Sequence, residues 1–292
     1  LLVAFACASG CELVFPVSTS ASVDAAGDAD VDAGIEPSCL SFSSETATGV
    51  AGRNPAMNAS WIEMIVIDDI PASSTWGLYR STFATTWSLP TRITGLSDNP
   101  QDSPAFYPDD YDQIVYAGGT SGRILGAERP KYGAPWVNTV PDIVIPAPMD
   151  DLQCGPPSVV IGEGRRMVLS RRAGGAPANE LDLVEYVQLA NGEYEPNVQQ
   201  TLALVNRGGV ADRDPHLSAD GLVLWFASDR DGDYDIYRTT RPTIFDMFAS
   251  PCRVALLDAS DERGPWPSPD EAKLAFSRGP DLGEQIFLAD AD

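Results

Sequence analysis

The chain is expected to be all-β, a β-propeller of four-stranded antiparallel blades, with five blades recognisable and room for a sixth. Three observations lead there. The same turn and strand residues recur about every 50 residues along the chain. The apolar stretches inside each copy have the length of strands rather than helices. Finally, 25 Gly and 24 Pro punctuate the 292 residues with turns. Hydrophobic residues at 43% and charged ones at 21% are values of a folded globular chain. Acids outnumber bases 42 to 19, for a formal charge of −23, so a nucleic acid is excluded as a partner. The one histidine, His216, leaves little scope for histidine-based metal or triad chemistry.

The first eleven residues, LLVAFACASGC, form an apolar run ending in small side chains before a cysteine. The run is too short to span a bilayer and has the core and boundary of a secretory signal, here expected to begin partway through. Ala8-Ser9-Gly10-Cys11 resembles the lipobox of bacterial lipoproteins, which makes Cys11 the expected site of lipidation; Ala8 departs from the commoner Leu. Residues 12–37 follow as a tether. The stretch VSTSASVDAAGDADVDAGIE carries Asp24, Asp28, Asp30, Asp32 and Glu36 with no base and no aromatic residue. Such a segment cannot bury enough apolar area to offset its chain entropy. These features point to an exported protein of the bacterial cell envelope, in the periplasm or on the outer membrane, that meets the membrane only through its lipid. At most one disulfide can form among Cys39, Cys154 and Cys252, and the sequence does not choose the pair.

Residues 38–292 are the expected propeller. The first copy of the repeat, around Pro55, reads NASWIEMIVIDD and then WGLYRST from Trp76. The second, around Pro104, places Tyr107-Pro108-Asp109-Asp110 at a turn before an apolar strand. The third, around Pro157, has Glu163-Gly164 at the turn, a strand through Val168 and Leu169, and LDLVEYV from Leu181 as its hairpin partner. In the fourth, Asp214, Pro215, Ser218, Asp220 and Gly221 set the turn; Leu222 to Ala227 is a buried strand, Asp235 to Arg238 a third and Arg253 to Leu257 a fourth. The fifth repeats the fourth at an offset of about 50, with Pro265, Ser268 and Asp270 in the turn. It lacks an outer strand, which Ser38 to Ser43 could supply. A single four-stranded sheet cannot cover both its faces, so the copies must pack face to face around an axis.

Asp214-Pro215-His216-Leu217-Ser218-Ala219-Asp220-Gly221, then Leu224 to Gly232, then Asp235-Ile236-Tyr237, resemble the WD-like propeller repeat of the TolB type. The text from Glu262 to Asp290 matches it as well, with Glu271 where the repeat has Gly. The resemblance covers roughly 250 residues and implies a propeller, commonly of six blades, with contacts in envelope assembly. The expected role is a non-enzymatic, monomeric binding platform for an envelope protein or a glycan. The alternative is a carbohydrate-active or peptidase-like enzyme, because five-bladed propellers also house glycosidases with an acid pair in the central channel.

The candidate chemistry is thin, and no catalytic residue is assigned. Asp229, Asp231, Asp233 and Asp235 alternate as in a calcium loop, but Gly232 is fourth rather than sixth and Thr240 stands where the distal Glu belongs. No cofactor is therefore expected beyond weak Ca2+ binding there, and these four residues are expected to shape a hairpin turn. Asp68-Asp69, Asp109-Asp110 and Asp150-Asp151 are the available acid pairs and read as a solvated rim. His216 is expected to be structural. Trp61, Trp76, Trp225 and Trp266 fall at strand positions and read as packing between blades, whereas Trp136, in GAPWVN, is the expected exposed ring.

Overall fold

The computed structural model describes residues 40–68, 77–96, 101–118, 123–139, 153–158, 164–172, 177, 180–257, 260–280 and 283–292. By backbone proximity the chain divides into Leu1–Ile35 and Glu36–Asp292, and every described residue belongs to the second unit. Cys11, Cys39 and the tether therefore lie outside the described residues, as do Trp76, Asp69, Asp150 and Asp151.

Every regular element among the described residues is a strand. β1 (Leu40–Ala51) is followed by a first group, β2 (Arg53–Met57), β3 (Glu63–Asp68), β4 (Gly77–Thr82) and β5 (Thr91–Arg92). The second group is β6 (Gln101–Tyr107), β7 (Asp110–Gly118), β8 (Arg123–Glu128) and β9 (Val137–Asn138). The third is β10 (Gln153–Cys154), β11 (Arg166–Arg171), β12 (Asp182–Gln188) and β13 (Tyr194–Pro196). The fourth is β14 (Asp212–Leu217), β15 (Val223–Ser228), β16 (Asp235–Thr240) and β17 (Cys252–Ala255). The chain ends with β18 (Glu262–Pro267), β19 (Lys273–Arg278) and β20 (Gln285–Ala291).

Within each group consecutive strands pair antiparallel in sequence order. β1 supplies the fourth strand of the last group, pairing antiparallel with β20 from Phe42 opposite Ala291 to Ala51 opposite Gln285. It also pairs in parallel with β17, Leu40 opposite Val254, which joins the fourth and fifth groups into one eight-stranded sheet. Each group packs on the next and the last packs on the first. Both faces of the central strands are consequently covered. In β15, Leu224, Trp225, Phe226 and Ala227 are all buried, and in β3 the same holds for Met64, Ile65, Val66 and Ile67. An unbroken apolar run of strand length is what such a sandwiched position requires.

The innermost strands share one irregularity. Asn54, Ser103, Asp214 and Gly264 adopt left-handed backbone, with φ of 48°, 47°, 50° and 60°. Each precedes a proline (Pro55, Pro104, Pro215, Pro265), and the pairing register slips at each. Proline cannot donate to the ladder, and a bulge seats it at a strand edge without breaking the flanking bonds. Gly264 is obligatory, because a Cβ there would stand 2.7 Å from the backbone Cα of Asn54 on another group. These prolines, with Pro156, line a narrow axial space of about 20 Å³, room for roughly one water molecule.

Candidate aromatic pocket at one end of the ring axis

Beyond the proline collar the axis opens into a pocket of about 300 Å³ to which all five groups contribute. It is built by the turns that follow the innermost strands. In the fourth group Ser218 Oγ donates to Asp220 Oδ1 at 2.6 Å and accepts from the N–H of Leu222 and Val223. In the fifth, Ser268 Oγ donates to Asp270 Oδ1, also at 2.6 Å, and accepts from Lys273 N–H. In the first, Asn58 Oδ1 takes the Ser role, accepting from the N–H of Ile62 and Glu63. All three turns end on left-handed backbone, at Gly221 (φ 72°), Glu271 (φ 57°) and Trp61 (φ 54°). Glycine adopts that conformation freely, whereas an L side chain costs about 1–2 kcal/mol. Both non-glycine residues line the pocket.

Trp61 and Tyr111 are half-buried and present their rings, while Phe106, Trp225 and Trp266 close the depth of the pocket as buried side chains. Glu271 accepts from Trp225 Nε1 at 3.0 Å and takes both nitrogens of Arg238 at 2.8 Å, which ties the fourth group to the fifth. His216 stands edge-on to Trp266, with centroids 4.4 Å apart, and is only 8% exposed. Burial pushes its imidazole down to about 3, so it is neutral at neutral pH. Its Nδ1 has no hydrogen-bond partner among the described residues. The Asp270 carboxyl, exposed at the rim, is held below its ordinary range by the Ser268 hydroxyl and the Ala272 N–H.

A second cluster surrounds the axis at the collar. Asp214 Oδ1 accepts from Asn54 Nδ2 at 3.0 Å and its other oxygen lies 3.3 Å from Arg213 Nε. Arg53 pairs with Asp102 at 3.7 Å, and Arg263 with Glu284 at 3.5 Å. Burial raises both Asp102 and Glu284, and the Asp214 charge adds to the effect.

The sequence-derived residues fall into place unevenly. Ser218, Asp220, Gly221, Ser268 and Asp270 form the turns just described, but Asp214, grouped with them, sits inside β14 at the axial bulge with Pro215, and Pro265 holds the matching place in β18. Asp229 Oδ1 accepts from Ala211 N–H, Asp231 from the Tyr237 hydroxyl, and Asp235 pairs with Arg253 at 2.7 Å; Asp233 is exposed. Three of the four carboxylates thus serve separate partners, and no metal-ligand cluster occurs among the described residues. Asp109 pairs with Arg165 at 2.9 Å on the surface and Asp110 is exposed; neither lines the pocket or the axial space, although Pro108 and Tyr111 beside them line the pocket. Cys154 lies in β10 and Cys252, at the start of β17, is disulfide-bonded.

Trp136 corrects the sequence reading. It is 3% exposed, with the Arg129 guanidinium 4.4 Å over its ring, because the loop folds back onto that cation. Trp61, half-buried, lines the pocket instead. Asp102, Glu284, Tyr111 and Glu271 were not singled out from sequence. The signal for Asp102 was present, since it stands two residues before Pro104 as Arg53, Arg213 and Arg263 stand before their prolines.

No protein-family model matches the chain, and no curated protein matches it. Solved structures do. An endo-arabinase from Bacteroides thetaiotaomicron VPI-5482 aligns at 12% identity over 86% of this chain and 96% of its own, with a TM-score of 0.57. The protein BT0996, solved in an RGII complex, aligns at 8% identity over 87% of this chain and 92% of its own, also at 0.57. A putative TolB from Agrobacterium tumefaciens aligns at 17% identity over 82% and 76%, at 0.48. The fold of this chain is that of the β-propellers, and TolB-like proteins are among its structural neighbours.

Proposed function

We propose that this protein is an exported, lipid-anchored, five-bladed propeller that acts as a monomeric, non-enzymatic binding module at the cell envelope, receiving a protein or glycan partner in the aromatic pocket. Five four-stranded groups, the last completed by β1, support the blade count. The lipobox text at Cys11 supports the anchor, and a disulfide-bonded Cys252 supports an oxidising compartment. The observation that carries the binding role is Trp61, a large ring held in strained left-handed backbone at the mouth of a cavity. Strain of that kind persists where the surroundings enforce it, and it gathers at functional sites.

The competing hydrolytic reading is favoured by the raised carboxyls of Asp102 and Glu284. They cluster with Asp214, and the axial space that Asp214 lines is about 20 Å³, far below the roughly 300–1,000 Å³ of pockets that take organic ligands. In the larger pocket, Asp270 is lowered rather than raised and Glu271 is tied to Arg238, which disfavours either as a general acid. The test is a panel of oligosaccharides and peptides followed by tryptophan fluorescence and by product analysis. Saturable binding that Trp61→Ala abolishes, without turnover, is expected. Turnover that Asp214→Asn abolishes would replace the binding module with an enzyme. For the anchor, Cys11→Ala is expected to end fatty-acid labelling in cells.

A further inference from the structure

We infer that the aromatic pocket takes a cation carrying N–H donors, the ammonium or guanidinium end of a basic side chain on a protein partner. This rests on the proposal that the pocket is the binding site, and it selects a protein over a glycan.

The charges around the cavity are the first support. No Lys or Arg among the described residues lines it, whereas Asp220, Asp270 and Glu271 do. Glu271 is neutralised by Arg238, and the nearby Lys273 ammonium goes to Asp290, which leaves Asp220 and Asp270 as the two exposed charges at the rim. Each is fixed by its own serine, so neither has to be ordered when a ligand arrives. An anionic ligand would meet repulsion there, and a neutral sugar, although its hydroxyls can donate to the carboxylates, would gain no charge attraction.

The walls are the second support. Elsewhere in this molecule Arg side chains lie over aromatic faces, as Arg129 does over Trp136 and Arg241 over Phe248 at 4.3 Å. Trp61 and Tyr111 line the cavity with rings of the same kind, and a desolvated cation over an aromatic face gains about 2 kcal/mol.

The third support lies at depth. His216 is more than nine-tenths buried on the pocket wall, and its Nδ1 has no partner among the described residues. Since the ring is neutral it adds no competing positive charge to the pocket wall.

The probe pair is Gly-Arg-Gly and Gly-citrulline-Gly, equal in shape and different in charge, titrated into the full chain with tryptophan fluorescence as the readout. The arginine peptide is expected to bind at least about tenfold more tightly, and to weaken as salt is raised. Asp220→Asn with Asp270→Asn is expected to reduce that preference about fivefold or more while the melting temperature stays in place. Equal binding of the two peptides, or no effect of salt on the unaltered protein, overturns the inference whether or not the variant folds. A neutral oligosaccharide that binds and is displaced by neither peptide overturns it too, and leaves the pocket as the binding site. If no probe binds and Trp61→Ala changes nothing, the underlying proposal falls as well.

Discussion

Four of the joints between neighbouring blades are held by a carboxylate and an arginine; Asp109 with Arg165 joins the second and third at the surface, and of the other three one differs from the other two. Between the first and second blades Glu63 takes both terminal nitrogens of Arg129, at 2.7 and 2.8 Å, with the two side chains 0% and 1% exposed. Between the third and fourth, Glu185 takes Arg241 at 2.7 and 3.2 Å, with side chains 1% and 0% exposed. In both, the arginine directly follows its blade's third strand and lies under an aromatic ring from the next connection, Trp136 or Phe248. Glu271 and Arg238, between the fourth and fifth blades, are 26% and 19% exposed and sit beside the pocket. A buried joint can serve only the fold, whereas a half-open one can also be read by a ligand.

The largest effect should come from breaking a buried joint. Glu185→Ala strands the Arg241 guanidinium in the interior, and about 3–5 kcal/mol of stability is expected to be lost; Glu63→Ala, which leaves Arg129 its bond to Asp112, is expected toward the lower end of that range. Glu271→Ala, whose partner stays in reach of water, is expected to cost only about 1 kcal/mol. Chemical denaturation of the three variants checks the ranking, and equal losses would erase the distinction between the joints. Acid should act in the same direction at the third joint. Burial opposes the charge on Glu185, yet the bonds from Arg241, Thr201 and Asn197 hold its carboxyl below the ordinary value. Its contribution is therefore present above the unfolded carboxylate range and is lost as pH falls through the folded value.

The next effect concerns how the ring is closed. Leu40 faces Val254 and Ser41 faces Ala255, so the starts of β1 and β17 run side by side, whereas β10, which carries Cys154, is an innermost strand paired with β11. The partner of Cys252 is expected to be Cys39. Peptide mapping without reductant should yield that pair, and Cys252→Ser should cost about 2–5 kcal/mol, because the bond closes a long loop. A Cys154–Cys252 peptide would refute the assignment. Gly264→Ala should follow at about 1–3 kcal/mol, since its Cβ would press on immovable backbone at Asn54 and the site is left-handed.

Glu262 sharpens the same region by pH. Burial pushes its carboxyl up to about 8 in spite of Arg278, which is shared with Glu45 of β1. A carboxyl raised on folding stabilises fully below its unfolded value, near 4.3. That contribution is lost as pH rises toward 8, because the folded state holds the proton and the unfolded state does not. Glu262→Gln is expected to flatten the fall in melting temperature between about pH 5 and 8, and an unchanged slope would assign that fall to another group.

What the sequence disclosed follows from how local each feature is. The Ser218 and Ser268 turns were legible because donor and acceptor lie within five residues, and β15 because an unbroken apolar run of six fits a sandwiched strand. The last blade's fourth strand could be sought upstream because Ser38 to Ser43, a strand-like stretch, precedes the first copy of the repeat. The pocket was not legible, since Trp61, Tyr111, His216 and Glu271 meet only when the ring is closed. Trp136 misled for the same reason: its text is that of a loop, and the arginine that buries it belongs to a different strand's end. The Asp102 position could have been read by aligning the blades on their prolines, the one residue type whose missing N–H fixes its place at the axis.

The smallest effect tests the turn that distinguishes Trp61 and Glu271 from Gly221. At an ordinary position Ala is more stable than Gly by about 0.5–1 kcal/mol, because the unfolded chain has less freedom to lose. On left-handed backbone the order reverses, as a Cβ there costs about 1–2 kcal/mol. Trp61→Gly is therefore expected to be more stable than Trp61→Ala by about 1 kcal/mol, both having lost the same ring, and Glu271→Gly should exceed Glu271→Ala likewise. The difference amounts to a few degrees of melting temperature at most and is best read by denaturant titration of the paired variants. Alanine equal to or better than glycine at position 61 would mean that the ring is held at the pocket mouth without backbone strain, which would remove the observation on which the binding role rests most heavily.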